Sequence, residues 1–134
     1  MALIAQIALM SMLLVLVAQP TAQAAEPTTL TLECAGTLTV NNLPPVSASK
    51  GIIVDFTERT VKGFGTPFDK VEVSSVNEAL ITFGGRNRDG GLTTQGSIDR
   101  VTGDLEAMGT LWGPHGIVGV MVYLLKCKPT QRMF

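Results

Sequence analysis

The chain reads as an all-β domain: an antiparallel barrel of about eight short strands, with a two-sheet sandwich as the alternative. Three observations point there. Apolar and polar residues alternate with period two in block after block, which is the signature of half-buried strands. Clusters of Gly, Pro, Asn and Asp separate the blocks at short intervals, and no block shows a helical period. Cysteines stand near the two ends of the patterned region, at Cys34 and Cys127.

The patterned region follows a leader. Residues 3–17 form a nearly uninterrupted apolar run, Gln19-Pro20 breaks it, and Ala22-Gln23-Ala24 has the small-x-small form that signal peptidase reads. The n-region lacks its usual basic residue. The alternative is an uncleaved anchor, but the run falls short of the roughly 20 residues a spanning helix needs. Residues 1–24 are therefore expected to be a signal peptide and 25–134 a single domain, periplasmic or secreted. Lipidation does not fit, because Cys34 follows Glu33 and lies far beyond the apolar run. In an oxidising compartment Cys34 and Cys127 are expected to pair. A loop of about 100 residues is worth up to roughly 4.7 kcal/mol in the chain-entropy model. With no C-x-x-C, nothing points to redox catalysis.

Element by element, Leu30, Leu32, Cys34, Gly36, Leu38 and Val40 fall on one face of a first strand, with Thr31, Glu33, Thr37 and Thr39 opposite. Asn41-Asn42-Leu43-Pro44-Pro45 stops it. Residues 50–64 read as a hairpin, with Ile52, Val54 and Phe56 on one face and a turn at Thr57-Glu58-Arg59. Val71 and Val73 alternate with charged residues, Asn77-Glu78 turns the chain, and residues 79–83 return. The stretch 84–91 is glycine-rich and polar. Residues 92–98 alternate again, 99–103 form a turn, and Leu105, Ala107, Gly109 and Leu111 face in. Residues 117–127 make the last and most apolar strand, with Tyr123, Leu125 and Cys127 inward.

Residues 54–64 align without gaps on 98–108, each with an apolar-Asp start, at Asp55 and Asp99, before an alternating return strand. An Asp there can accept hydrogen bonds from the backbone of its own turn, so shared turn chemistry accounts for the likeness without duplication. Gly36, Gly96 and Gly109 stand on inward faces, where glycine lets a sheet bend or a backbone come close. They favour a barrel over a sandwich, and a Cys34–Cys127 bond would join the first strand to the last.

The chemistry-bearing residues are few. A formal charge of −1 argues against non-specific binding to nucleic acid or anionic lipid. Asp104 and Glu106 share one side of a strand, an arrangement that supports acid–base work only when one carboxyl is desolvated; their alternation with Leu105 and Ala107 turns them to water. His115, the one histidine, lies in a Gly-Pro-His-Gly loop with no G-x-S-x-G beside it. With both cysteines bonded there are too few ligands for a zinc site, so no metal and no cofactor is expected. Arg86 and Arg88 in the glycine-rich loop could contact an anion or a partner, although no phosphate-loop motif accompanies them. Trp112 and Tyr123 could line the mouth of a pocket for a small apolar ligand. Val118, Val120, Val122 and Leu124 make the second face of the last strand apolar, so residues 117–124, from Ile117 to Leu124, could form a subunit or partner contact. Phe134 ends the chain in an aromatic, as outer-membrane barrels often do, but Lys126, Lys128 and Pro129 break the alternation such a strand needs.

Leu32-Glu33-Cys34-Ala35-Gly36, Val54-Asp55-Phe56, residues 98–103 and Tyr123-Leu124-Leu125-Lys126-Cys127-Lys128-Pro129, with a terminal Arg132-Met133-Phe134, resemble small exported proteins of Gram-negative bacteria that have no assigned function. The resemblance implies a periplasmic home and no activity. Eight strands in this length are also similar to lipocalin and avidin barrels, but Gly36 is followed by Thr37-Leu38 where a lipocalin has G-x-W. The expectation is a non-enzymatic binding or interaction domain, with a small apolar ligand as one alternative and a carboxylate-dependent enzyme as the other.

Overall fold

A computed structural model describes residues 28–65, 68, 71–87 and 90–130. The leader, Arg88 and Phe134 lie outside the described residues. Eight strands follow in chain order: β1 (Thr29–Val40), β2 (Val46–Asp55), β3 (Thr60–Lys62), β4 (Val71–Val76), β5 (Leu80–Arg86), β6 (Leu92–Asp99), β7 (Asp104–Gly113) and β8 (Gly116–Pro129). Each pairs antiparallel with its chain neighbours, and β1 pairs with β8 to close the barrel. Closure removes the sandwich alternative, because a continuous ladder leaves no second sheet and no free edge.

The strands are less uniform than the turn residues imply. β1, β2, β7 and β8 run 12, 10, 10 and 14 residues, whereas β3 has only 3. β2 begins at Val46 because Val46, Ser47, Ala48 and Ser49 continue the β1 ladder down to Leu38↔Val46. Ser47, Ala48 and Ser49 carry little strand signal of their own; the neighbouring strand holds them in place.

Cys34 lies directly opposite Cys127, and the two form the disulfide. Leu32, Cys34, Ile52, Val54, Val61, Ile81, Ile98, Leu105 and Leu125 are buried inside. The outward positions of the long strands are mostly Thr, Ser and charged residues, with Glu33–Lys128 and Asp104–Lys126 as surface ion pairs. Where β3 and β4 are short, the chain between them supplies the missing core. Phe64 and Phe68 turn inward from it and pack against Phe83 and Tyr123, with ring centroids 5.5 to 6.1 Å apart. The rings need room on the opposite wall, and the inward glycines provide it. A Cβ on Gly109 would stand inside the Phe68 ring, and one on Gly96 inside the Phe83 ring.

The meander places alternate connections at opposite ends. One end carries 56–59, 77–79 and 100–103, together with Thr28 and Thr130. Here three Asx residues close the turns. Asp55 Oδ1 accepts N–H bonds from Thr57 and Glu58, Asn77 Oδ1 from Ala79 and Leu80, and Asp99 Oδ1 from Val101 and Thr102, all at 2.8 to 2.9 Å. The aligned hairpins match in detail: Arg59 and Gly103, each four residues after its Asp, have φ of 56° and 82°. The other end carries 41–45, 63–70, 87–91 and the β7–β8 turn.

Candidate functional site

The surface that can receive something is the outside of β5–β8. On the outside, a groove of about 540 Å³ is lined by Thr82, Gln95, Ser97, Glu106, Met108, Val122 and Leu124, with Gly96 and Ala107 in its floor. A second groove of about 380 Å³ lies beside it along β7, β8 and β1, and also touches Glu106 and Leu124. Together they make a trough across the ladder rows Ser97↔Glu106↔Leu124 and Gln95↔Met108↔Val122. One wall is polar. The other is Val122 and Leu124 of β8, the latter 50% exposed, and the apolar stripe continues beyond the trough to Val118, 67% exposed. Isolated exposed apolar residues are ordinary, whereas a continuous stripe on a Thr/Ser surface is not.

The structure does not bring Asp104, Glu106 and His115 together. All three are exposed, with Asp104 at the turn end of β7 and His115 in the β7–β8 turn at the opposite end. Asp104 is engaged as an ordinary surface anion. The Lys126 ammonium, 3.0 Å away, and the Thr102 hydroxyl, at 2.9 Å, hold its carboxyl below the usual aspartate value. Glu106 stands in the trough without a basic partner among the described residues. The net effect on Asp104 is downward, away from the raised value that keeps a carboxylic acid protonated at neutral pH. Among the described residues no three His, Cys, Asp or Glu side chains converge as a metal site.

Arg86 is exposed at the end of β5. The loop beside it is organised by Asn87, whose Oδ1 accepts the Leu92 N–H at 3.1 Å while its own N–H donates to the Leu92 carbonyl. Trp112 and Tyr123 have separate surroundings. Trp112 is half-exposed and donates its indole N–H to Thr93 Oγ1 at 3.0 Å. Tyr123 is buried against Phe64 and Phe68, and burial raises its phenol above the ordinary value. Neither lines the outer trough.

Sequence reading passed over Lys50. Two residues before Ile52 and four before Val54, it falls on the inward face of β2, and its Nζ lies 5.9 Å from the centre of the Tyr123 ring. Counting the alternation back from Val54 would have exposed an inward lysine. The Phe64 and Phe68 plug was also legible in principle, as two aromatics in a Gly-Pro connection that has no strand to carry them. Comparison with known protein families, curated proteins and solved structures finds no match to this chain.

Proposed function

We propose that this chain is an exported, non-enzymatic binding domain that engages a protein partner through the outer face of β8 and the trough beside it. The observation that carries this reading is the pairing of an aromatic-filled axis with an apolar outer stripe, Val118, Val120, Val122 and Leu124. A core filled by its own rings directs binding to the surface, and the trough offers an apolar wall facing hydrogen-bonding groups. The disulfide fits an oxidising compartment. The leader-like residues 1–24 support export to the periplasm or beyond. No helix of the described residues is long and apolar enough to cross a membrane. Apart from the outer stripe of β8 and Ile53 and Trp112, apolar side chains point in and Thr, Ser and charged side chains point out, the reverse of a membrane barrel; this supports an aqueous setting. The near-neutral charge gives nucleic acid no footing.

Native mass spectrometry of the non-reduced protein from its export compartment, set beside the denatured mass, tests the reading. The expected result is a second polypeptide, another copy or a different chain, held by the wild type and released by Leu124→Asp and by Val122→Asp. A bare monomer at all concentrations, or a partner retained by both variants, would sink it.

A further inference from the structure

Both outer grooves share Glu106 and Leu124, so whatever lies in the trough meets a carboxylate beside an apolar side chain. The register places Ser97 directly across from Glu106 on one side and Leu124 on the other, with Gln95, Met108 and Val122 as the next outward row. Side chains opposite one another on neighbouring strands stand about 5 Å apart. Glu106, Ser97 and Gln95 therefore form a patch of acceptors next to the apolar pair Val122 and Leu124.

That patch is not engaged by the protein itself. Glu33, Glu58 and Asp104 have lysine partners, and Asp55 and Asp99 accept backbone N–H bonds in their turns. Thr82, at the far edge of the groove, bonds to Ser74. Glu106, Ser97 and Gln95 have no side-chain partner among the described residues. Lys126 stands in the neighbouring outward row, and its ammonium is held by Asp104 at 3.0 Å. Glu72 and Glu78 are likewise without a lysine or arginine among the described residues, but neither lines the trough.

We propose that the trough recognises an arginine next to an apolar side chain in an extended segment of the partner protein. The guanidinium lies on Glu106 and Ser97, and the apolar side chain on Val122 and Leu124. A guanidinium carries its donors in a planar fork, which suits a carboxylate and a neighbouring hydroxyl together, and its weak hydration suits a groove with one apolar wall. From Thr82 on β5 to Leu124 on β8 the trough crosses three strand spacings. That is about 14 Å, the length of four or five extended residues. Residues two apart in such a segment face the same way, so an arginine and its second neighbour enter the trough together. The inference rests on the reading of the trough as a partner site and adds the chemistry of the partner.

Capped Leu-Thr-Arg-Thr-Leu, with citrulline or glutamate in place of arginine as controls, tests this by NMR titration into the non-reduced protein. The arginine peptide is expected to shift the signals of Ser97, Glu106, Met108, Val122 and Leu124. It should bind about three- to fivefold tighter than the citrulline peptide, with the glutamate peptide weakest. The preference should shrink as salt rises, and Glu106→Gln should bring the arginine peptide down to the affinity of the citrulline one. Equal binding of the arginine and citrulline peptides, a preference that survives Glu106→Gln, shifts away from the trough, or no binding at millimolar concentration would overturn the proposal. The two readings fail separately. A trough that binds all three peptides alike keeps its partner role and loses only the arginine, whereas a native partner retained by Val122→Asp and Leu124→Asp removes the trough itself.

Discussion

The two ends of the barrel hold themselves together by different means. At the Asx end each turn is closed by its own first side chain, and the 100–103 turn is tied to β8 by the Cys127 N–H bond to the Gly103 carbonyl at 2.7 Å. The disulfide then fixes β8 to β1 nearby. At the other end three of the four connections are longer, and order comes from tertiary contacts. Phe64 and Phe68 plug the gap left by β3, and Asn41 clamps Val120 through its backbone N–H and its side-chain oxygen. Local chemistry closes one end, and packing shapes the other, which carries Trp112, His115 and Val118. The outer trough spans the wall between them, reaching Asp104 and Lys126 beside the 100–103 turn.

The sharpest way to break this contrast is to remove the long-range element from each end. Phe68→Ala should cost about 3–5 kcal/mol, because its ring fills space that Gly109 leaves and a cavity would remain. Replacing both cysteines with alanine should cost about 2–5 kcal/mol. Hydrogen exchange separates the two: the first change should expose amides of 63–65, Phe68 and β7 around Gly109, the second those around Cys34 and Cys127. Identical exchange patterns would mean that the ends are one cooperative unit.

Smaller effects come from the aligned turns. Gly103→Ala places a side chain at φ 82° and against the Cys127 carbonyl, so a loss of at least about 1–2 kcal/mol is expected on chemical denaturation. Arg59→Gly relieves the same left-handed conformation at the sister turn and should gain up to about 1 kcal/mol. Its guanidinium bonds to the Val73 and Ser74 carbonyls are long, at 3.3 Å, and reduce that gain only slightly. Opposite signs at equivalent positions would show that the shared turn has been adapted differently to its surroundings.

The smallest effect is in acid. Backbone N–H bonds from Thr102 and then Val101 lower the Asp99 carboxyl below its ordinary value of 3.8, and Lys126 does the same for Asp104. Both folded-state values lie under the unfolded ones. Their stabilisation is therefore complete above the unfolded value and fades as pH falls below about 3.8 through the folded values. Asp99→Asn should flatten the acid limb of a denaturation profile slightly. An unchanged limb would place the acid sensitivity elsewhere.

How much was legible depended on how local the cause was. The Asx turns, the inward faces of β1 and β6–β8, and the pairing of Cys34 with Cys127 follow from residues that signal their own conformation or their own chemistry. β3 was readable only as a return strand, and its three-residue length was not, because its extent is set by how far β2 and β4 accompany it. The trough was hidden for a related reason: Ser97, Glu106 and Leu124 lie on three strands, and only the register aligns them. The outer stripe of β8 was visible, since a strand apolar on both faces stands out in one dimension.

Period-two alternation and turn chemistry by themselves determined an antiparallel β domain of about eight strands and most of the residues that look inward, because these depend on neighbours in the chain. Closure into a barrel gained support from the cysteines and the interior glycines, but the register that closes it was decided only in three dimensions. So were the aromatic plug, the trough and the place of the Lys50 ammonium over Tyr123. Each depends on which residues of distant strands come to lie side by side, and that is set by packing a common core.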